Sequence, residues 1–380
     1  MNTHIVNSFP SGCCVVAMGG GTGLSTLLRG LKHRIRHPSG LVSEPLPPQA
    51  PFISDLTAIV AVTDDGGSSG RLRRDFNMLP PGDLRSCMVA LAGDEDLFSR
   101  LFRHRFRAEG ELAGHSFGNL FIAALAEMTG NFAQAVKLAS EVLTIQGRIL
   151  PATSANAILV ARMEDGSLVR GETRISASLQ RIVEVMLEPA GAPALTETLQ
   201  AIAGADLITL GPGSLYTSLI TNLLVGGIPE ALAATRATRV YIANLMTEAN
   251  ESLGLSVSEH IERIYEHAGR AIFDYAVVNT GTVSAALREH YATEGAEPTE
   301  ADIERIEAMG IRCITGDFVA EGDLLRHAAD QVTETLLALP RMLLPLRADR
   351  AHRVSGHILE VNSPCCLPEG EAEILHSHLI

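Results

Sequence analysis

Apolar residues in this chain gather in short unbroken runs set between amphipathic stretches. Val15–Met18, Thr57–Val62, Asp206–Leu210, Arg239–Leu245 and Tyr275–Asn279 are such runs, rich in Val, Ile and Leu. Continuous apolar runs of this length suit strands buried on both faces, the habit of parallel sheets. Between them, Leu24–Leu31, the stretch after Asp83, Phe117–Leu125, Phe132–Leu143, Ala194–Ala203 and the residues leading to His267 carry helical periodicity. Gly93–Phe106 reads as a further, more basic helical piece, and Met309–Phe318 with Ala328–Leu339 as the last strand and its cover. The alternation predicts an α/β protein: a Rossmann-like, doubly wound, mostly parallel sheet with helices on both faces. One segment breaks the rhythm. Ala157–Met163, the turn Glu164-Asp165-Gly166 and Leu168–Ile175 read as a β-hairpin, and Arg181–Leu187 as another strand, so 151–188 is expected to be a small β-rich insertion.

Two of the strands run into glycine turns followed by helices. The first turn is Gly19-Gly20-Gly21-Thr22-Gly23-Leu24-Ser25; the second is Gly211-Pro212-Gly213-Ser214. Free N–H groups and the positive end of a helix dipole at such places attract phosphate, so Gly20, Gly21, Thr22, Gly23, Ser25, Gly211, Pro212, Gly213 and Ser214 are candidates for phosphate or nucleotide binding. Neither turn is a Walker loop, and Leu24 stands where the third glycine of a dinucleotide fingerprint would fall. A turn made tight for packing alone is the competing reading. The strand ending at Val62 leads into Thr63-Asp64-Asp65-Gly66-Gly67-Ser68-Ser69-Gly70-Arg71. Adjacent carboxylates repel, and Mg²⁺, a ribose or base edge, or a general-base role for Asp64 or Asp65 would each account for them; an Asx turn would account for one. Ser68 and Ser69 extend a nest of N–H donors, and Arg71 with Arg73 adds charge for phosphate. Asp83 is expected to cap the helix after Pro80-Pro81-Gly82, and Asp83 and Arg85 are candidates to line a ligand pocket. His115 and Asn119, four residues apart, face one pocket if the helix capped by Ser116 begins between them.

Composition narrows the partners. Of 380 residues, 30 are Lys or Arg and 44 Asp or Glu, a net charge of −14, which argues against a nucleic-acid partner held by phosphate neutralisation while leaving room for a local basic pocket. The six cysteines form no CxxC and no disulfide-like spacing, and no stretch reads as a signal peptide or membrane span. A cytoplasmic protein is expected. Five prolines between His37 and Pro51 mark a surface excursion, and 341–380, with His352, His357, His376, His378 and Cys365-Cys366, matches no zinc spacing and reads as a tail. That leaves 13–340 as a single domain.

These loops together resemble the CofD-like/YvcK-like family. The matching stretches are Gly19–Ser25, Asp64–Arg73, Pro80–Arg85, His115–Phe121, Ile149–Thr153, Leu210–Leu219 and Asn244–Thr247, in the family's order across residues 13 to 318. The wording of Asp64–Arg73 and of Leu112–Phe121 is similar to the gluconeogenesis-factor branch. That resemblance implies a protein that binds UDP-sugars such as UDP-GlcNAc and influences carbon metabolism, cell-wall synthesis and cell shape. It also implies protein partners, self-association as a homo-oligomer, and ligand contacts from Asn244 and Thr247. The other branch, 2-phospho-L-lactate transferase, implies Mg²⁺-dependent transfer of a phospho-organic acid from a nucleotide carrier to a deazaflavin alcohol. Where the family reads Gln-Pro-Gly-Glu-Thr, this chain has Glu248-Ala249-Asn250-Glu251-Ser252, a departure that bears on the shape of that loop.

Overall fold

The computed structural model describes residues 12–36 and 51–339 except 94–96, 108, 179 and 323. The proline-rich excursion, apart from Pro51, and 341–380 lie outside the described residues. In chain order the first strands are β1 (Cys13–Gly19), β2 (Ile53–Val60) and β3 (Arg148–Pro151). Those of the insertion follow as β4 (Ile158–Met163), β5 (Leu168–Arg170) and β6 (Ile182–Glu188), and then come β7 (Leu207–Leu210), β8 (Thr238–Ile242), β9 (Tyr275–Asn279) and β10 (Arg312–Gly316).

Seven of them form one sheet in the order β10-β9-β8-β7-β1-β2-β3, and every neighbouring pair is parallel. Each inner strand is buried along nearly its whole length, which is why the apolar runs are unbroken. From β1 the chain builds outward through β2 and β3, then returns to the other side of β1 with β7. The order therefore reverses between β1 and β7, and in such sheets the crevice beyond the carboxyl ends at this point is where ligands bind. Met18 pairs with Leu210, so the two glycine turns start side by side at that crevice.

Helix α1 (Gly21–Lys32) buries Leu24, Leu27, Leu28 and Leu31. At Gly30 it approaches helical residues 329–339 so closely that a Cβ would lie 2.4 Å from the Ala329 carbonyl oxygen. Helices α2 (Gly67–Phe76), α3 (Gly82–Leu91), α4 (Leu97–Arg103) and α5 (Phe117–Thr129) cover the β2 side. Ser116 caps α5 by accepting from Asn119 N, and Ser256 caps the helix Val257–Ala268 in a capping box with Glu259.

The insertion is an antiparallel sheet, β5-β4-β6, with Asp165 accepting from Ser167 N in the hairpin turn. Two elements are shorter than their sequence suggests. The run from Leu168 to Ile175 stops as a strand at Arg170, because Gly171, at φ +94°, turns the chain into the short helix Glu172–Ser176. The basic helical piece spans only Leu97–Arg103, after which Phe106 N donates to His115 O and Phe117 N to His104 O across a turn at 110–114. Phe102 anchors that change, packed edge-on against Phe117 and Phe121.

Candidate functional site at the switch point

The two glycine turns touch through their backbones. A Cβ on Gly23 would lie 2.3 Å from the Pro212 carbonyl oxygen, so the last glycine of the first turn is there to let the second turn in. Gly21 has a different reason. Its φ is +58°, nothing lies within 4 Å of where its Cβ would be, and Thr22 beside it is exposed, so this part of the turn faces open space. Ser25 is buried and its hydroxyl donates to Thr22 O, closing the first turn of α1.

Each turn meets a carboxylate of the chain itself. Asp83 is expected from sequence to cap α3, but Pro81 takes the cap position and Asp83 falls inside the first turn of the helix. Its carboxylate accepts from Gly21 N at the start of α1, and a Cβ on Gly20 would lie 2.9 Å from its Oδ2. Burial pushes the Asp83 carboxyl up to about 6, and the Asp64 charge adds to the rise against the Gly21 hydrogen bond. At the second turn, Glu251 accepts from Tyr216 N (2.9 Å), Thr217 N (3.2 Å) and the Thr217 hydroxyl (2.7 Å). The residues there, Leu215–Ile220, wind as a π-helical turn, with Leu219 N donating to Ser214 O. Ser214 donates to Glu248 Oε1 at 3.0 Å. Burial, then the charge of Glu251, raises Glu248 to about 7.

The acidic loop after β2 divides. Successive side chains leave an extended backbone in opposite directions. Asp64 Oδ1 accepts from Gly66 N at 2.8 Å, and its Oδ2 would be 3.0 Å from a Cβ on Gly82. Asp65 turns to the insertion, where Oδ1 accepts from Thr173 N (2.8 Å) and from the Thr173 hydroxyl (2.6 Å). Of the two acidic candidates, Asp65 is thus held at the insertion, while Asp64 lies near Asp83. Glu172, which the sequence does not single out, joins them: Thr63 donates to it at 3.1 Å, and burial with the Asp83 and Asp64 charges raises its carboxyl well above the ordinary value. Its only advance signal is a glycine directly before it in the insertion.

Other candidates divide by what they touch. Ser68, His115 and Asn119 are brought together, but as a buried network: Ser68 Oγ lies 3.0 Å from His115 Nδ1 and accepts from Asn119 Nδ2 at 3.1 Å. Burial, then Arg71, lowers the pKa of His115, favouring the neutral imidazole. Ser69 is buried beside Gly82. Arg73 is spent on Asn156, Thr63 O and Ala157 O. Arg71 donates to Ala113 O, and Arg85 reaches Ser86 and Phe102 O. Asn244 clasps Gly213 with both ends of its amide, accepting from the N at 3.1 Å and donating to the O at 2.8 Å. Gly211, at φ +94°, leaves no room for a side chain, since a Cβ would be 2.6 Å from Ile242 O. Thr247 is buried and its hydroxyl accepts from Glu297 N. Beyond Asn244, at the ends of β8 and β9, opens a cavity of about 220 Å³ lined by Leu245, Val278, Thr280, Thr282, Arg288 and Thr299 among others. The hydroxyl of Thr299 is buried without a hydrogen-bond partner.

A doubly wound α/β protein with a polar, carboxylate-rich crevice at its switch point is the class these features define. The chain belongs to the family described as 2-phospho-L-lactate transferase CofD, whose sequence profile matches residues 15–319. Among curated relatives it is 44% identical to the gluconeogenesis factor of Halalkalibacterium halodurans, over 85% of this chain and 95% of that one. It is 42% identical to the gluconeogenesis factor of Bacillus subtilis, over 86% and 97%. A crystal structure of a UPF0052-family protein from Bacillus halodurans superposes with a TM-score of 0.79 at 43% identity, covering 86% of this chain and 99% of that one. No described helix is long and apolar enough to cross a membrane.

Proposed function

We propose that this protein binds a nucleotide sugar of the UDP-sugar class across the β1–β7 switch point. In this reading it acts as a regulatory gluconeogenesis factor linking carbon metabolism to cell-wall synthesis and cell shape. One observation carries the reading. The open stretch Gly21-Thr22 and the cavity beyond Asn244 lie at the carboxyl end of the same sheet, on either side of the second glycine turn. The diphosphate would lie on the first turn, against the N–H groups left over from Asp83. The cavity is large enough for a planar base, and Thr299 and Arg288 offer it polar partners.

A second reading rests on Asp64 and Asp83. Among the described residues no group of three His, Cys, Asp or Glu gathers as a metal site. Mg²⁺, however, is commonly held by one or two carboxylates together with substrate phosphates. Asp64 and Asp83, close enough to raise the Asp83 carboxyl, fit that donor set. They would hold the ion, which would offset the charge of a diphosphate; Asp64 would then stand beside the acceptor alcohol of a transferase.

Calorimetric titration with UDP-GlcNAc, UDP-glucose, GDP and NAD(P) tests the first reading. Wild type should bind a UDP-sugar with micromolar affinity, about −8 kcal/mol, and Gly21→Val should lose it while keeping its circular dichroism. No heat with any UDP-sugar sinks the proposal. Turnover of roughly 1 per second on a guanosine-diphosphate-linked phospholactate, with Mg²⁺ and a deazaflavin alcohol, would make the transferase reading the right one.

A further inference from the structure

Three arginines on the β2 side have no part in either reading. Arg71 comes from α2, Arg85 from α3 and Arg105 from the extended segment after α4. Arg71 Nη2 donates to Ala113 O at 2.6 Å, and Arg105 Nη1 donates to Gly114 O at 2.6 Å, so both forks end at one turn. A Cβ on Gly114 would lie 3.4 Å from Arg71 Nη2. Arg85 packs under the start of α5, its Cδ 2.9 Å from where a Gly118 Cβ would be, and its Nε is buried with no hydrogen-bond partner. Burial, then the charge of Arg105, lowers the pKa of Arg85 against the opposing charge of Asp83; burial, then Arg71 and to a lesser degree Arg105, lowers that of His115, with Asp75 acting the other way.

None of the three forms an ion pair among the described residues, although the chain has acids in excess. Elsewhere its arginines pair readily, as Arg148 does with Asp55, Arg170 with Glu188 and Arg239 with Asp274. Asp83 is close enough for its charge to act on Arg85, but its carboxylate is turned to Gly21 and makes no ion pair with the guanidinium. Each guanidinium carries five N–H donors, and the carbonyl and hydroxyl contacts use only one or two of them. Like charges gathered this way are unfavourable unless an anion joins them. A carboxylate matches one guanidinium fork, whereas a tetrahedral dianion accepts from several directions.

We propose that Arg71, Arg85 and Arg105 form a binding site for a phosphate dianion, free or as the monoester of a small molecule, separate from the nucleotide position. The test is titration of full-length protein with inorganic phosphate and with glycerol 3-phosphate, read by calorimetry and thermal shift, with chloride holding ionic strength constant. Saturable binding of either probe is expected; the tighter of the two identifies free phosphate or a monoester as the source. The Arg71→Gln/Arg105→Gln pair should weaken it at least tenfold. Because those arginines also hold the 111–114 turn, Arg105→Lys serves as the second variant: it keeps the charge, loses the fork, and should bind several-fold more weakly with an unchanged melting temperature. Saturation with UDP-GlcNAc should leave the phosphate affinity unchanged. Stabilisation no greater than with chloride, an unchanged affinity in both variants, or competition with the nucleotide would overturn the proposal. The titration without nucleotide stands even if the nucleotide reading fails.

Discussion

Asp83→Asn tests the physical account of the crevice most directly. The substitution keeps the shape and an acceptor for Gly21 N but removes a charge that burial and Asp64 both oppose. Raising the carboxyl from 3.8 to about 6 corresponds to roughly 3 kcal/mol at neutral pH, at about 1.4 kcal/mol per pH unit. Asp83 keeps some contact with solvent, so roughly 1–2 kcal/mol is a fairer expectation, about 2–6 °C in melting temperature for a domain of this size. The sign follows from proton counts. The folded state holds the Asp83 proton to higher pH than the unfolded chain, so wild type loses stability as pH rises from about 4 to about 6. The variant has no such proton. Its advantage should be absent near pH 4, grow through that window and level off above pH 7. Thermal unfolding of both proteins between pH 4 and 8, without divalent ions, measures this. A variant less stable than wild type at pH 8, or a gap that does not vary with pH, would refute the reasoning and make ionised Asp83 a favourable cap for α1.

Two further substitutions probe the second turn. Gly23→Ala places a methyl 2.3 Å from the Pro212 carbonyl oxygen, backbone against backbone, and should cost about 1–3 kcal/mol in a denaturant titration; an unchanged midpoint would mean the turns do not press together. Glu251→Ala strips the acceptor from two buried N–H groups and a hydroxyl and should destabilise by about 3 kcal/mol or more by the same measurement, a loss that a structurally idle carboxylate would not produce.

The strands were legible because a parallel sheet buries both faces, which leaves unbroken apolar runs in the sequence. The hairpin of the insertion was legible from Asp165-Gly166. The neighbourhood of β1 and β7 was not, since nearly two hundred residues separate them and nothing local records the pairing. The same distance hid the work of Asp83. Pro-Pro-Gly-Asp reads as a helix cap, but the group it satisfies, Gly21 N, belongs to another element. Asp64 and Asp65 look alike in sequence and diverge because adjacent side chains on extended backbone point apart. Glu251 sat in a stretch already marked by resemblance, yet its role as the anchor of the π-helical turn depends on contacts with Tyr216 and Thr217 that only the folded chain supplies.

The loop after β2 and the helix α2 that follows it are fastened to the insertion at three places: Thr63 to Glu172, Asp65 to Thr173, and, from α2, Arg73 to Asn156 and Ala157. The small antiparallel sheet is therefore coupled, through short polar links, to the loop that bears Asp64. Free energy is a state function, so whatever coupling these links carry between two binding events is reciprocal, each changing the other's binding free energy by the same amount. A contact made on the outside of the insertion and a ligand settling on Asp64 would each change the work needed for the other. Through those three ties, the outer sheet and the crevice share one mechanical fate.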